Sequence, residues 1–170
     1  IGQDALHAGH VLDQLLTLAR AGRGMLDAPL QTVNWAAVAR NVAAAQAQSA
    51  WLREDTLAVD APEFVMVRGN ALLLDSALRN LVENAVRHTP PGTQIEVQAG
   101  CDSSLGQAWV QVCDDGRRDA APAHVPPVDS LHLGHEIVSR VMQAHGGRFV
   151  EADAPQGFTT CYRMEMPSAG

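Results

Sequence analysis

The chain has 170 residues, a formal net charge of −7 and 12 basic residues, all of which are arginine. Because lysine is absent, the sequence excludes a G-x-x-x-x-G-K-[ST] phosphate loop, the β3 lysine of Ser/Thr/Tyr protein kinases and any Schiff-base lysine. The acidic balance argues against non-specific nucleic-acid binding, so no nucleic-acid partner is expected. Three widely spaced cysteines without a C-x-x-C pair indicate neither a zinc site nor a disulfide framework.

Residues 1–21 are predicted to form a helix, in which apolar side chains alternate spacings of three and four from Ala5 to Ala19. This stripe needs another helix or a second copy as its partner, unless the helix packs on its own domain. Residues 22–30 resemble a linker in composition. The chain starts at Ile1 and contains no signal peptide or membrane-spanning run, so we expect a fragment whose membrane segments, if any, lie elsewhere.

The rest of the chain alternates strand and helix patterns. Asn34 and Asn70 are predicted helix N-caps, and Gly146-Gly147 is a predicted helix stop. The predicted helices are 34–51, 70–88 and 133–145, the predicted strands are 30–33, 56–60, 64–67, 94–99, 108–113, 148–152 and 159–166, and residues 115–130 are a predicted loop. This mixed order favours an α+β two-layer sandwich over a parallel doubly wound sheet.

The helix predicted at 70–88 carries a polar side. Asn80, Asn84 and Arg87 recur at spacings of four and three, with Glu83 and His88 beside them. The carbonyl oxygen of Asn84 is a suitable hard ligand for Mg²⁺ shared with phosphates, and Arg87 could pair with phosphate oxygens. The alternative is an ordinary solvated helix face.

Two further segments could bind parts of a nucleotide. The strand at 109–113 runs into Asp114-Asp115-Gly116, where a carboxylate could accept a hydrogen bond from an exocyclic amine and a glycine could admit a flat ring. Gly134 precedes an apolar helix whose free N–H groups would favour a phosphate chain. A simple Asp-Gly turn and any helix that follows a glycine would give the same patterns.

In this order, the segments resemble the boxes of bacterial sensor histidine kinases. The N box is matched by LRNLVENAVRHTPPG at 78–92, and the G1 box by VCDDG at 112–116. The G2 box and its following strand are matched by HLGHEIV at 132–138 and AHGGRF at 144–149. The segments GFTT at 157–160 and MEMP at 164–167 resemble the last strand of the family's ATP-binding domain. The segment LDQLLTLAR at 12–20 is similar to the second helix of the family's dimerisation and phosphotransfer hairpin.

The resemblance implies a two-layer α/β sandwich of Bergerat type, as in the GHKL ATPases, with ATP between the helix layer and a mobile lid. It divides the chain into part of the hairpin at 1–22, a linker at 23–30 and the ATP-binding catalytic domain at 31–170. The implied cofactors are ATP and Mg²⁺.

The resemblance also implies roles for individual residues on both halves of the nucleotide. On the phosphate side, Asn84 would bind Mg²⁺, Asn80 and Arg87 would lie at the phosphates, Gly134 would support them, and Glu83 could polarise the acceptor histidine. On the base side, His88 would lie beside adenine, Asp114 would bind its amino group, and Gly116 would make room for the ring. Thr160 (or, less favoured, Thr159) would complete the adenine pocket through a water.

The implied activity is transfer of the ATP γ-phosphoryl to a histidine on the first hairpin helix, and then to a response regulator. Such a protein would be a homodimer through its hairpin and the cytoplasmic portion of a bacterial inner-membrane protein, with membrane contact only through other segments. Neither His7 nor His10 lies in an H-E/D-x-x-x-P setting, so neither is assigned as the acceptor. This fragment alone is therefore not expected to phosphorylate itself.

The sequence departs from the family pattern around the lid. Arg118 replaces the second glycine of the G1 box, while His132 and His135 replace the first glycine and the leucine of the G2 box. The segment between Gly116 and Gly134 is short and rich in proline. We therefore expect weak ATP binding. The adenine half of the pocket should follow the family pattern more closely than the phosphate half. The alternatives are a degenerate kinase-like module acting through dimer geometry or docking, another GHKL ATPase of mismatch-repair or chaperone type, and a purely structural domain.

Overall fold

The computed structural model describes residues 30–116 and 128–169, without the side chains of 128–133. The predicted helix at 1–21, most of the predicted linker, and Arg118 lie outside the described residues. The elements in chain order are β1 Gln31–Asn34, α1 Trp35–Leu52, β2 Thr56–Asp60, β3 Met66–Gly69, α2 Ala71–Arg87, β4 Gln94–Asp102, β5 Gln107–Asp114, α3 Val128–Ala144, β6 Arg148–Glu151 and β7 Thr160–Pro167.

The described strands form two sheets. A five-stranded sheet has the order β2-β4-β5-β7-β6, and a two-stranded sheet joins β1 to β3. The β2–β4 pair is parallel, and the β4–β5, β5–β7 and β6–β7 pairs are antiparallel. The predicted α+β class is therefore confirmed, with a mixed sheet and a helix layer.

Both predicted asparagine caps are confirmed. The Asn34 side chain accepts hydrogen bonds from the N–H groups of Ala36 at 3.2 Å and Val65 at 2.9 Å. The Asn70 side chain accepts from Leu72 and Leu73 at 3.0 and 3.1 Å. Each side chain satisfies donors that the first helical turn leaves without partners, which fixes where α1 and α2 begin.

The core lies between one face of the large sheet and the three helices. Alternate strand residues such as Val97, Val110 and Met164 are fully buried against Leu78 of α2 and Val141 of α3. The other strand positions place polar side chains on the opposite face, as the two-residue repeat of a strand requires. Aromatic side chains contribute little, and small or branched aliphatic residues fill most of this core.

Several predicted boundaries were wrong, among them the end of β4, which runs to Asp102 and not to Ala99. The strand predicted at 64–67 is Met66–Gly69, because Val65 is already bonded to the start of α1 through the Trp35 N–H at 2.7 Å and the Asn34 side chain. The loop predicted at 115–130 overlaps α3, which begins at Val128 and not at Leu133. Asp129 and Ser130 suit a first helical turn, and the spacing of Val128 and Leu131 continues the apolar repeat of the helix upstream.

Candidate functional site

The predicted polar side of α2 exists, and its members differ in exposure. Asn80 and Asn84 are buried, Glu83 and His88 are half-buried, and Arg87 is exposed in the last turn. The Asn80 Nδ2 donates to the Ser76 carbonyl one turn back at 2.8 Å. His88 ends the helix, and its N–H donates to the Asn84 carbonyl at 2.9 Å.

Glu83 contacts the neighbouring helix. Gln46 of α1 donates from Nε2 to Glu83 Oε1 at 3.4 Å, a contact that the sequence reasoning missed. A polar residue on the side of α1 that packs on α2 is the sequence feature that could have indicated this contact. The bond orients the Glu83 carboxylate in the space between the two helices.

Asn84 is the most unusual group on this helix. Its side chain is 6% exposed, and its Nδ2 has no hydrogen-bond partner among the described residues. A buried amide without a partner costs about 1–3 kcal/mol, so it calls for an explanation such as a ligand. Exchange of the amide nitrogen and oxygen by rotation would present the oxygen in the same place.

Gly134 of α3 packs against this amide. A Cβ atom on Gly134 would lie 2.7 Å from Asn84 Nδ2, closer than side chains pack without a shift. The missing side chain at Gly134 therefore allows α3 to pack closely against the buried carboxamide.

The expected position of Gly134 at a helix start was wrong. Since α3 begins at Val128, Gly134 lies in the second turn of the helix, beyond the N–H groups that a helix start leaves without partners. Helix-dipole binding of phosphate at this glycine is thus not supported. Its missing side chain is what distinguishes it.

Asp114 ends β5, and its side chain is 1% exposed. Its Oδ1 accepts a hydrogen bond from the Gly116 N–H at 3.1 Å, which turns the chain sharply after the strand. The buried carboxylate is therefore held in one orientation. The predicted strand-end position of this acid is confirmed, while its ligand stays a prediction.

Gly116 packs against the segment that follows α2. A Cβ on Gly116 would lie 2.6 Å from the Thr89 Cβ and 3.0 Å from the Thr93 Oγ1. Thr89 also donates from its hydroxyl to the carbonyl of Ala85. This contact joins the end of the N-box helix to the end of β5, so the two predicted halves of the site meet here. The sequence reasoning missed the part played by Thr89.

The two candidate threonines have different roles. Thr160 pairs with Asp114 across β5 and β7, so both side chains lie on the helix-facing side of the sheet. The Thr159 hydroxyl instead donates to the carbonyls of Gly116 at 2.9 Å and Asp114 at 3.2 Å. This geometry favours Thr160 for contact with a ligand and Thr159 for support of the turn.

His135, which departs from the expected leucine, lies in an aromatic group. Its ring centroid is 4.6 Å from that of Tyr162 and 5.3 Å from that of Phe149. The imidazole thus occupies an apolar contact between α3 and the last two strands, as a leucine would. At this position the replacement keeps the packing of α3 on the sheet.

The comparisons with known proteins decide the family. Residues 69–170 match the model of the histidine kinase-, DNA gyrase B- and HSP90-like ATPases. The chain belongs to this family. The match covers α2, β5, α3 and β7, which carry or adjoin all the predicted site residues.

Sensor proteins are among the similar sequences. The chain is 30% identical to the sensor protein DivL of Caulobacter vibrioides over 94% of this chain and 22% of DivL. It is 29% identical to the sensor protein IrlS of Burkholderia pseudomallei over 93% of this chain and 36% of IrlS. The chain thus spans roughly a fifth to a third of these relatives, as expected for the ATPase domain of a sensor kinase.

A solved structure shows the same fold. The histidine kinase AdeS of Acinetobacter baumannii superposes with a TM-score of 0.75 over 99% of this chain and 82% of AdeS, at 17% identity. Family membership implies ATP binding by the histidine kinase-like ATPase domain. Within the described ranges, none of the helices combines the length and apolar character needed to cross a bilayer.

Proposed function

We propose that residues 31–170 bind Mg²⁺-ATP between α2, α3 and the end of β5 and catalyse phosphoryl transfer to a histidine. The observation that carries this proposal is the buried Asn84 carboxamide, which has an unpartnered Nδ2 and packs against Gly134 of α3. Native proteins nearly always give a buried side-chain amide a hydrogen-bond partner, and a bound ligand would supply one here. The family match supports the same assignment.

Each side chain then has a defined task. Asn84 would hold Mg²⁺ through its amide oxygen, and Asn80 and Arg87 would orient the phosphates. Mg²⁺ supplies charge neutralisation at the phosphate oxygens when it is bound. Glu83, oriented by Gln46, would polarise the acceptor histidine. Catalysis would then consist mainly of positioning and charge compensation.

The base would bind at the other end of the site. Asp114 would accept a hydrogen bond from the adenine amino group, and Thr160 would complete that contact through a water. Gly116 would leave room for the ring, and His88 would lie beside it. The fixed orientation of the Asp114 carboxylate supports this assignment, because it needs no rearrangement on binding.

In the full-length protein, the acceptor histidine would lie on the first helix of a dimerisation hairpin, and residues 1–22 would belong to the second helix. A response regulator would take the phosphoryl group from that histidine. We place this domain on the cytoplasmic side of a bacterial inner membrane, in a homodimer. The replacements at Arg118 and His132 favour a second candidate, a kinase-like module that binds ATP weakly or not at all and acts through dimer geometry.

Calorimetric titration with ATP in the presence and absence of Mg²⁺ tests the proposal. The expected result is that Mg²⁺ strengthens ATP binding to the native chain and has no such effect on an Asn84→Ala variant. The matched control is Asn41→Ala, which removes an exposed asparagine from α1. If the native chain shows no heat of binding with Mg²⁺-ATP, the catalytic proposal fails and the docking module is favoured.

Autophosphorylation of the full-length protein separates the two candidates further. The catalytic proposal expects phosphohistidine from γ-labelled ATP, lost in the Asn84→Ala variant and kept in Asn41→Ala. A docking module would give no phosphohistidine with any of the three proteins.

A further inference from the structure

Two cysteines form a close pair on the face of the sheet that points away from the helices. Cys113 of β5 and Cys161 of β7 are directly opposite each other in the antiparallel register, and their Sγ atoms are 3.1 Å apart. Both residues are 0% exposed, whereas Cys101 is exposed. We propose that Cys113 and Cys161 are a redox-sensitive thiol pair, which a peroxide-class oxidant converts into a disulfide beside the candidate adenine pocket.

The backbone geometry suits a disulfide. Residues directly opposite in an antiparallel pair have Cα atoms about 4.5–5.5 Å apart, and disulfides span about 4.4–6.8 Å. A disulfide needs the two sulfurs to approach by about a further 1 Å, to a bond length near 2.05 Å. Small side-chain rotations can supply this movement, so the strands need not separate or change register.

The surroundings of the pair give the two sulfurs different roles. Cys113 donates its S–H to Cys161, and this hydrogen bond lowers the pKa of Cys161 and raises that of Cys113. The positive charge of Arg163 also lowers the pKa of Cys161. In the proposed reaction we therefore assign the attack to Cys161, since the thiolate is the reactive form.

The reaction with hydrogen peroxide balances in two steps. The Cys161 thiolate attacks one peroxide oxygen, the O–O bond breaks, and the products are a sulfenic acid and hydroxide, which takes the proton that Cys161 released. The Cys113 sulfur then attacks the Cys161 sulfur, an S–S bond forms, and the hydroxyl group leaves as water with the Cys113 proton. In total, two thiols and one peroxide give one disulfide and two waters.

The position of the pair connects it to the proposed function. Cys113 directly precedes Asp114, and Cys161 directly follows Thr160. The disulfide would restrain the backbone of both strands next to Asp114 and Thr160, where the adenine is proposed to bind, and would limit their adjustment to the ligand. We therefore expect the disulfide form to bind Mg²⁺-ATP more weakly than the thiol form. This expectation rests on the proposed function, whereas the oxidation itself does not.

Peptide mapping after hydrogen peroxide treatment tests the thiol pair. In the folded chain, we expect one cross-linked species that joins the peptides of Cys113 and Cys161, and dithiothreitol should reverse it. The same treatment in denaturant should give all three pairings of the cysteines. A folded chain that keeps both thiols, or that carries separate sulfinic acids without the linked peptide, would overturn the proposal.

A Cys101→Ser variant isolates the pair for the second measurement. Its oxidised form should lose two free thiols without dimerising, and it should bind Mg²⁺-ATP more weakly than its reduced form. Equal affinities would overturn the coupling to the nucleotide site. The thiol count decides the redox proposal even if neither form binds nucleotide, so the two proposals fail independently.

Discussion

Gly134 of α3 packs on Asn84 of α2 so closely that a Cβ on the glycine would lie 2.7 Å from the amide nitrogen of Asn84. Two helices that are distant in sequence thus meet at one buried polar contact. The contact depends on the absence of a side chain at Gly134 and on the burial of the carboxamide opposite. It gives the glycine a function that does not depend on a helix terminus.

A Gly134→Ala substitution should therefore weaken nucleotide binding without unfolding the chain. The methyl group would displace the Asn84 amide. Loss of a group that holds a metal ligand in position typically lowers metal affinity by roughly 10- to 100-fold. Alanine in a helix is favoured over glycine by about 1 kcal/mol, which offsets the cost of the contact. Calorimetric titration with Mg²⁺-ATP and urea unfolding measure the two effects.

The double variant with Asn84→Ala is the control for this mechanism. If Gly134 acts through Asn84, then Gly134→Ala should cause no further loss of affinity once the carboxamide is absent. Additive losses would show that the glycine acts elsewhere.

A Gly116→Ala substitution should destabilise the fold. Gly116 is buried, and the new methyl group would meet Thr89 and Thr93, whose side chains are 3% and 4% exposed. Overpacking of this kind costs about 1–3 kcal/mol in the free energy of unfolding. The urea midpoint should fall accordingly.

Thr89→Ser is the matched rescue for that variant. It removes the Thr89 Cγ2, which would lie 2.7 Å from the new methyl group, and keeps the hydroxyl that bonds to Ala85. The double variant should recover part of the lost stability. If it is no more stable than Gly116→Ala alone, the contact with the Thr89 Cγ2 is not the cause, and the Thr89 Cβ at 2.6 Å is the contact that remains.

His145 should make the stability of the fold depend on pH. Its Nε2 accepts from the Asn70 N–H at 3.1 Å, and its Nδ1 donates to the Val141 carbonyl at 2.7 Å, so the neutral ring connects the end of α3 to the start of α2. Burial lowers the pKa of His145 below its ordinary value of 6.5, despite the opposing hydrogen bond to Val141.

The unfolded chain therefore binds a proton at this histidine before the folded chain does. Stability contributed by the neutral ring is complete above pH 6.5 and is lost as the pH falls through the lower folded pKa. Urea unfolding should show this loss between neutral and mildly acidic pH, and a His145→Gln variant should show a smaller slope. A ring titration by NMR with a pKa at or above 6.5 would contradict the prediction.

The sequence alone determined the starts of α1 and α2 and the order of the site segments. Asn34 and Asn70 cap helices through bonds to N–H groups only two or three residues away, so local chemistry was sufficient. The N-box pattern likewise depends on the spacing of Asn80, Asn84 and Arg87 within one helix. The start of α3 escaped prediction because the composition of residues 115–130 resembled that of a loop.

Tertiary structure decided the contacts that join separate elements. Packing of α3 on α2 places Gly134 over Asn84, and packing of the end of α2 on the end of β5 places Thr89 against Gly116. The strand register brings Cys113 opposite Cys161. None of these pairs has a local sequence signal, because a contact across many residues depends on how the helix layer and the sheet pack together.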